Sequence, residues 1–317
     1  MSGIFEYVTS IIFAKTPNKK WLRLLIAIGI VAVLVMLFRK TPSSDKTEGF
    51  DQAGYFALKQ NDEVYDDFYA RMYSDIMDCE NRAEFEMKSV IDMTQPSKSN
   101  SVILDVGSGT GNLVEIFRRK GYRIYGIDKS QAMVDAQSSQ FPKSETKCGD
   151  VANPMEFDHN TFTHILCMGM TIYNFENKSI FFRNCYHWLM SNGYLILHLV
   201  DPDKYDSTVL AAKPHGIENP QKYLDSAHRI TDSNIDIANI NYKSEYDFSS
   251  EKVIMKETFT DTATGKIRQN EQTLFMESRD KILMIAKMSG FIVHGQVNMS
   301  KYNGDAHQFI YILEKIM

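Results

Sequence analysis

The apolar run Val102-Ile103-Leu104 ends in Asp105, and Gly107, Gly109 and Gly111 follow at every second position before the helix-like stretch LVEIF. Glycine tolerates positive φ and has no Cβ, so a turn of this composition can bring backbone N–H groups against a ligand. The spacing departs from the dinucleotide pattern G-x-G-x-x-G. Counted from Gly107, the third glycine position holds Asn112, and Gly111 falls one residue early. A carboxylate beside the turn, Asp105, repels a pyrophosphate and attracts an ammonium group, so the ligand expected here carries a cation. Asp128, 23 residues further on in YGIDKS, closes a second apolar strand, where an acid can accept hydrogen bonds from both hydroxyls of a ribose.

Two further motifs follow in order: IDKSQAMVDA, which holds the run D-x-S-x-x-M-x-x-A as Asp128, Ser130, Met133 and Ala136, and then Cys148-Gly149-Asp150-Val151. With LDVGSGTGN before them, they make the stretch from about residue 60 to 200 resemble the class I S-adenosylmethionine-dependent methyltransferases, especially the small-molecule and quinone-biosynthesis branch. The resemblance implies that Asp105 and the turn from Gly107 to Asn112, Ser108 included, hold the methionine part of the donor. It also implies that Asp128 and its neighbour Lys129 attend the ribose, that Met133 lines the adenine pocket, and that Asp150 and the Val151 backbone meet the adenine edge. S-adenosyl-L-methionine is then the cofactor, and no metal is expected.

Methyl transfer needs the acceptor lone pair in line with the sulfonium methyl, so positioning and exclusion of water can supply much of the catalysis. Where the acceptor must also lose a proton, a side chain of suitable pKa within reach helps. The candidates are His198 in LILHLVDPD, near the ligand-facing end of a strand, and Tyr173 in the segment Leu166–Phe175; either reads equally as a structural residue. That segment lacks the N/D-P-P-Y motif of enzymes that methylate nucleobase amines, and a net charge of −5 argues against a nucleic-acid partner.

The elements that must carry these residues alternate: strands over 101–106, 122–127, 145–148, 162–168 and 193–200, with helices over 111–120, 130–139 and 177–190 between them. Such alternation predicts a Rossmann-like, doubly wound, mostly parallel seven-stranded sheet. FIVHGQVNM and HQFIYILEKI, after a helix over 278–289, close it as an antiparallel hairpin. Before that helix, INYKSEYDF, EKVIMKETFTD and KIRQNEQTLFM read as a small antiparallel β insert of three strands, which the resemblance places in the region that such methyltransferases vary to select their acceptor. Upstream, residues 51–95 read as a cap of two amphipathic helices, in which Tyr65, Tyr69 and Tyr73 recur at helical spacing and could close over the ligand. The domain boundaries are thus a cap over 51–95, a donor-binding core over 96–205, the insert over 235–277 and the end of the sheet over 278–317.

Residues 1–20 precede the run Trp21–Phe38, which has Arg23 as its one charge and is followed by a polar linker over 39–50. Eighteen residues of helix span about 27 Å, close to the hydrocarbon thickness of a bilayer, so one transmembrane helix over 21–38 is expected. A buried core helix or a cleaved signal peptide are the alternatives. Lysines and arginines balance on the two flanks, so charge does not decide orientation. A cytosolic catalytic domain follows instead from where the donor is made and from four scattered cysteines that suit a reducing compartment. The expected acceptor is a small molecule or a lipid-like compound, which a membrane anchor would concentrate. Two rival readings remain at this level. One is an inactive donor-binding scaffold at a membrane. The other is a nicotinamide-dependent oxidoreductase, which matches the alternation but not the glycine spacing.

Overall fold

The computed structural model describes residues 54–213, 229–248 and 252–316. The expected membrane span over 21–38 lies outside these residues. Among those described, no helix is long and apolar enough to cross a membrane.

A seven-stranded sheet is built from β2 (Val102–Val106), β3 (Arg123–Asp128), β4 (Glu145–Cys148), β5 (Phe162–Cys167), β6 (Leu189–Val200), β11 (Phe291–Asn298) and β12 (Gln308–Lys315). Its order is β11-β12-β6-β5-β2-β3-β4, and the strands from β6 to β4 are mutually parallel. β12 runs antiparallel between β6 and β11, which makes the expected closing hairpin. Apolar residues fill both faces of the central strands, as a sheet covered on both sides requires. Leu104 and Val106 join Ile165, Phe182 and Cys185 on one side. Ile103 joins Val90, Leu113, Phe117 and Leu166 on the other.

Three of the helices begin at a side-chain cap. α1 (Asp67–Ile76) starts at Asp66, whose carboxylate accepts from the Tyr69 N–H at 3.2 Å. α2 (Cys79–Thr94) and α3 (Asn112–Arg119) lie on the Phe117 side, and Gly111 in the left-handed region starts α3. α4 (Gln131–Gln140) is capped by Ser130, and α5 (Lys178–Trp188) supplies Phe181, Phe182 and Trp188 to the other core. α6 (Arg279–Met288) begins at the capping residue Ser278, and the short α7 (Ser300–Asn303) precedes β12.

The β insert is larger than the sequence suggests. It has five strands in the order β1-β10-β9-β8-β7: β1 (Phe56–Gln60), β7 (Asp232–Ile237), β8 (Ile240–Asp247), β9 (Lys252–Asp261) and β10 (Ile267–Phe275). The cap has its two expected helices, α1 and α2, but its first segment departs from the helical reading: it is β1, parallel to β10, followed by a 3-10 turn at Asn61–Val64. Alternation sets the inward face of the insert: Val253, Met255, Glu257 and Phe259 on β9 are buried, and Phe259 meets Tyr242 on β8 and Phe68 and Tyr69 on α1.

Candidate functional site

The turn after β2 is pinned to the end of β3: the N–H groups of Gly107 and Ser108 both donate to the Ile127 carbonyl, at 2.8 and 3.1 Å. Gly107, Gly109 and Gly111 all have positive φ, which glycine adopts without strain. Their missing side chains serve different ends. A Cβ on Gly107 would stand 2.6 Å from Thr171, and one on Gly111 would stand 2.3 Å from Gln137, so both glycines admit protein side chains. Gly109 lies on the wall of a cavity, with the Tyr73 ring 3.5 Å from where its Cβ would be.

Asp128 ends β3 and holds the turn in place. One carboxylate oxygen accepts from the Gly109 N–H and the other from the Ser130 N–H, each at 2.9 Å. A carboxylate has about four lone-pair positions, so two remain for a ligand. Burial raises its pKa, and the backbone donors pull it back. Met133, on the first turn of α4, is buried in the same wall. Asp150 and Val151 follow β4 on that wall too. The Asp150 carboxylate accepts from the Ala152 N–H at 2.9 Å, and the Val151 carbonyl is taken by Asn184. Lys129 bridges acids across the cavity edge, 2.7 Å from Asp62 and 3.5 Å from Asp150.

Asp105, Ser108 and Asn112 line a smaller adjoining cleft together with Arg82 and Glu86 of α2. Asp105 is 3% exposed; burial, and then the neighbouring Glu86, push its carboxyl well above the usual range, against the pull of Arg82. Glu86 is driven by burial to about 7. Arg82 Nε and Glu86 Oε1 stand 3.6 Å apart, too far for a hydrogen bond, and each lacks a hydrogen-bond partner. A cation, two acids and unused bonding capacity in one cleft match the amino and carboxylate groups of an amino acid. Arg82 and Glu86 carry no motif in the sequence, although their i,i+4 spacing puts them on one helix face.

The main cavity has a volume of about 780 Å³. Tyr65, Tyr69 and Tyr73 of the cap line it, and so do Tyr205 and Tyr246. His198, near the end of β6, also lines it. Burial, and then Arg82, hold the imidazole down to about 3, so it is neutral at ordinary pH. Tyr173 is absent from the wall: its hydroxyl accepts from the Val200 N–H at 2.9 Å and donates to the Val200 carbonyl at 3.3 Å. Its position ties the segment after β5 to the end of β6.

Residues 104–197 match the family model described as a methyltransferase domain. A protein of Geobacillus described as an uncharacterized methyltransferase is 28% identical over 116 residues, which cover 32% of this chain and 49% of that protein. The chain thus spans about half the length of the curated relative it matches. Among solved structures, an S-adenosylmethionine-dependent methyltransferase from Clostridium acetobutylicum superposes with a TM-score of 0.57 at 18% identity, over 78% of this chain and 96% of its own. The CcbJ methyltransferase from Streptomyces caelestis gives 0.59 at 13% identity, over 80% and 98%. SAM-bound CalS10, an amino pentose methyltransferase from Micromonospora echinaspora, gives 0.54 at 17% identity, over 78% and 96%. At these identities the structures establish a shared fold, and the sequence likeness to a methyltransferase domain extends over residues 104–197.

Proposed function

We propose that this chain transfers the methyl group of S-adenosylmethionine to a small-molecule or lipid-like acceptor, from a position tethered to a membrane by residues 21–38. The observation that carries the transfer reading is the convergence on one cavity of Gly109, the Asp128 carboxylate, Met133 and Asp150, with the Arg82–Glu86–Asp105 cleft alongside. Asp128 has lone pairs to spare for a ribose, and the cleft presents unpartnered atoms of both charge types for an amino-acid end. A volume of about 780 Å³ lies within the range of about 300–1,000 Å³ typical of small-molecule sites, enough for a donor with an acceptor beside it. The donor supplies an electrophilic methyl group on a sulfonium centre. The protein holds it, walls the reacting atoms from water with tyrosines and aligns the acceptor.

Support for the tether comes from the sequence, in the eighteen-residue run Trp21–Phe38 and the polar linker after it. The transfer reading is tested by isothermal titration of the full chain with S-adenosylmethionine and, separately, with NADH. Saturable binding of the first and none of the second is expected. The reverse would support the oxidoreductase reading.

A further inference from the structure

The described chain begins at the edge of the insert, and that edge is apolar where it meets water. Among the described residues β1 pairs with β10 alone, and Tyr55, Phe56 and Leu58 at its start are 65%, 55% and 44% exposed. Isolated exposed apolar side chains are ordinary, but these occupy three of four consecutive positions. In the register of the two strands Ile267 stands opposite Phe56, which extends the apolar corner onto β10. Alternation points Ala57 and Lys59 to the other face, alongside the buried Arg268 and Asn270. An uncovered apolar edge strand pairs with whatever it meets, so this corner calls for an occupant.

Charge and the path of the chain together identify that occupant. The lysines of β8 and β9 on this face are matched by acids: Lys243 is 2.9 Å from Glu245, Lys256 is 3.6 Å from Glu271, and Lys252 is 3.3 Å from Glu176. An anionic partner therefore finds no strong positive field, and what the corner offers is aromatic and aliphatic surface. Along the sequence, residues 39–54 separate the apolar run Trp21–Phe38 from Tyr55, and these sixteen residues reach about 55 Å at full extension. Gly54 apart, no described residue lies nearer to that run along the chain.

We propose that Tyr55, Phe56 and Leu58 sink into the headgroup region of the bilayer that holds residues 21–38, docking the outer edge of the insert on lipid. The proposal rests on the membrane-tether reading. Tyrosine suits the boundary between headgroups and acyl chains, with its ring on the apolar side and its hydroxyl in water, and Phe56 and Leu58 add apolar surface. Three side chains are too few to hold a free protein at a membrane. On a tethered chain the same contact is intramolecular, and a weak patch suffices. Docking by this edge also sets where the cavity opens. Asn61 and Asp62, directly after β1, line the cavity, and the Asp62 side chain is 74% exposed. At about 3.3 Å per strand residue that rim lies within about 20 Å of Tyr55, so an acceptor dissolved in the bilayer has a short path to it.

The test reconstitutes the full chain in phosphatidylcholine vesicles, with and without acyl-brominated lipid, and reads tryptophan fluorescence. Trp21 lies in the apolar run and Trp188 is buried in the fold, so quenching of the unaltered chain reports on the tether alone. In a Trp21→Phe background, Tyr55→Trp should give an indole that the brominated lipid quenches. Met288→Trp, at an 81% exposed site on α6, should give one that it does not. Phe56→Ser combined with Leu58→Ser should lower the docked-to-undocked ratio about tenfold while donor affinity stays unchanged. Quenching in the unaltered chain with none at position 55 overturns the docking and leaves the tether standing. No quenching in the unaltered chain removes the tether, and the docking with it. An indole at position 55 that is blue-shifted yet unquenched assigns the corner to protein, such as a second copy of this chain, and overturns the proposal. Quenching at position 288 in place of 55 overturns it too, by docking another face.

Discussion

Asp128 and Glu86 carry opposite electrostatic demands at the two ends of the proposed donor site. Asp128 organises the turn through Gly109 and Ser130 and keeps lone pairs for a ribose. Asp128→Ala therefore removes the ribose acceptor and leaves two N–H groups without it. Titration calorimetry should show donor binding weakened by about 1.5–3 kcal/mol, as for hydrogen bonds to a charged group. Glu86 has its carboxyl raised from 4.5 to about 7, chiefly by burial and against the pull of Arg82. The proton held by the folded form stabilises it fully below about 4.5, and this contribution is lost as pH rises through about 7. A cationic donor favours the ionised carboxylate, so its affinity should rise between about pH 6 and 8, with proton release on binding. Equal affinity and no proton release across that interval would place the amino end of the donor away from Glu86.

At the scale of elements, the insert is joined to the cap through a buried carboxylate. Glu257 on β9 is fully buried and accepts from Tyr69 on α1 at 2.9 Å and from Tyr242 on β8 at 2.8 Å. Arg268 on β10 reaches back to Asp66, the cap of α1, at 2.8 Å. Glu257→Leu leaves both phenols unpaired and should destabilise the fold by about 2–4 kcal/mol in urea unfolding, at about 1–3 kcal/mol per buried unsatisfied group less the gain from removing a buried acid. A neutral change would mean that water reaches these groups. The motif-bearing strands and turns were legible in the sequence because strand, glycine turn and capped helix each leave local signals, as in LDVGSGTGN and the Ser130 cap. β1 was not, because FALKQ becomes a strand only by pairing with the distant β10. Arg82 and Glu86 were not legible as site residues, because a charged i,i+4 pair is common on amphipathic helices. Only the fold turns that face toward Asp105. Tyr69 and Tyr73 were legible as a helical stripe, whereas Tyr65 falls just before α1, and the meeting of all three with Tyr205 and Tyr246 on one cavity depends on tertiary packing.

For the whole molecule, the proposed tether and the proposed catalytic unit predict separable behaviour. The run Trp21–Phe38 lies outside the described residues, and the stretch that matches the methyltransferase-domain model, residues 104–197, lies C-terminal to it in the sequence. Full-length protein should co-sediment with phospholipid vesicles, whereas a chain beginning at residue 46 should stay in solution and still bind the donor. Co-sedimentation of the shortened chain to the same extent would locate membrane affinity in the catalytic unit. Loss of its fold would make the apolar run part of a core. The claim beneath all of this is the location of the donor, and a crystal structure with S-adenosylhomocysteine tests it most directly. The ribose hydroxyls should lie about 3 Å from the Asp128 carboxylate, with the amino-acid end beside Arg82 and Asp105. Density for the ligand elsewhere, with the Gly109 turn and Asp128 untouched, would contradict the account.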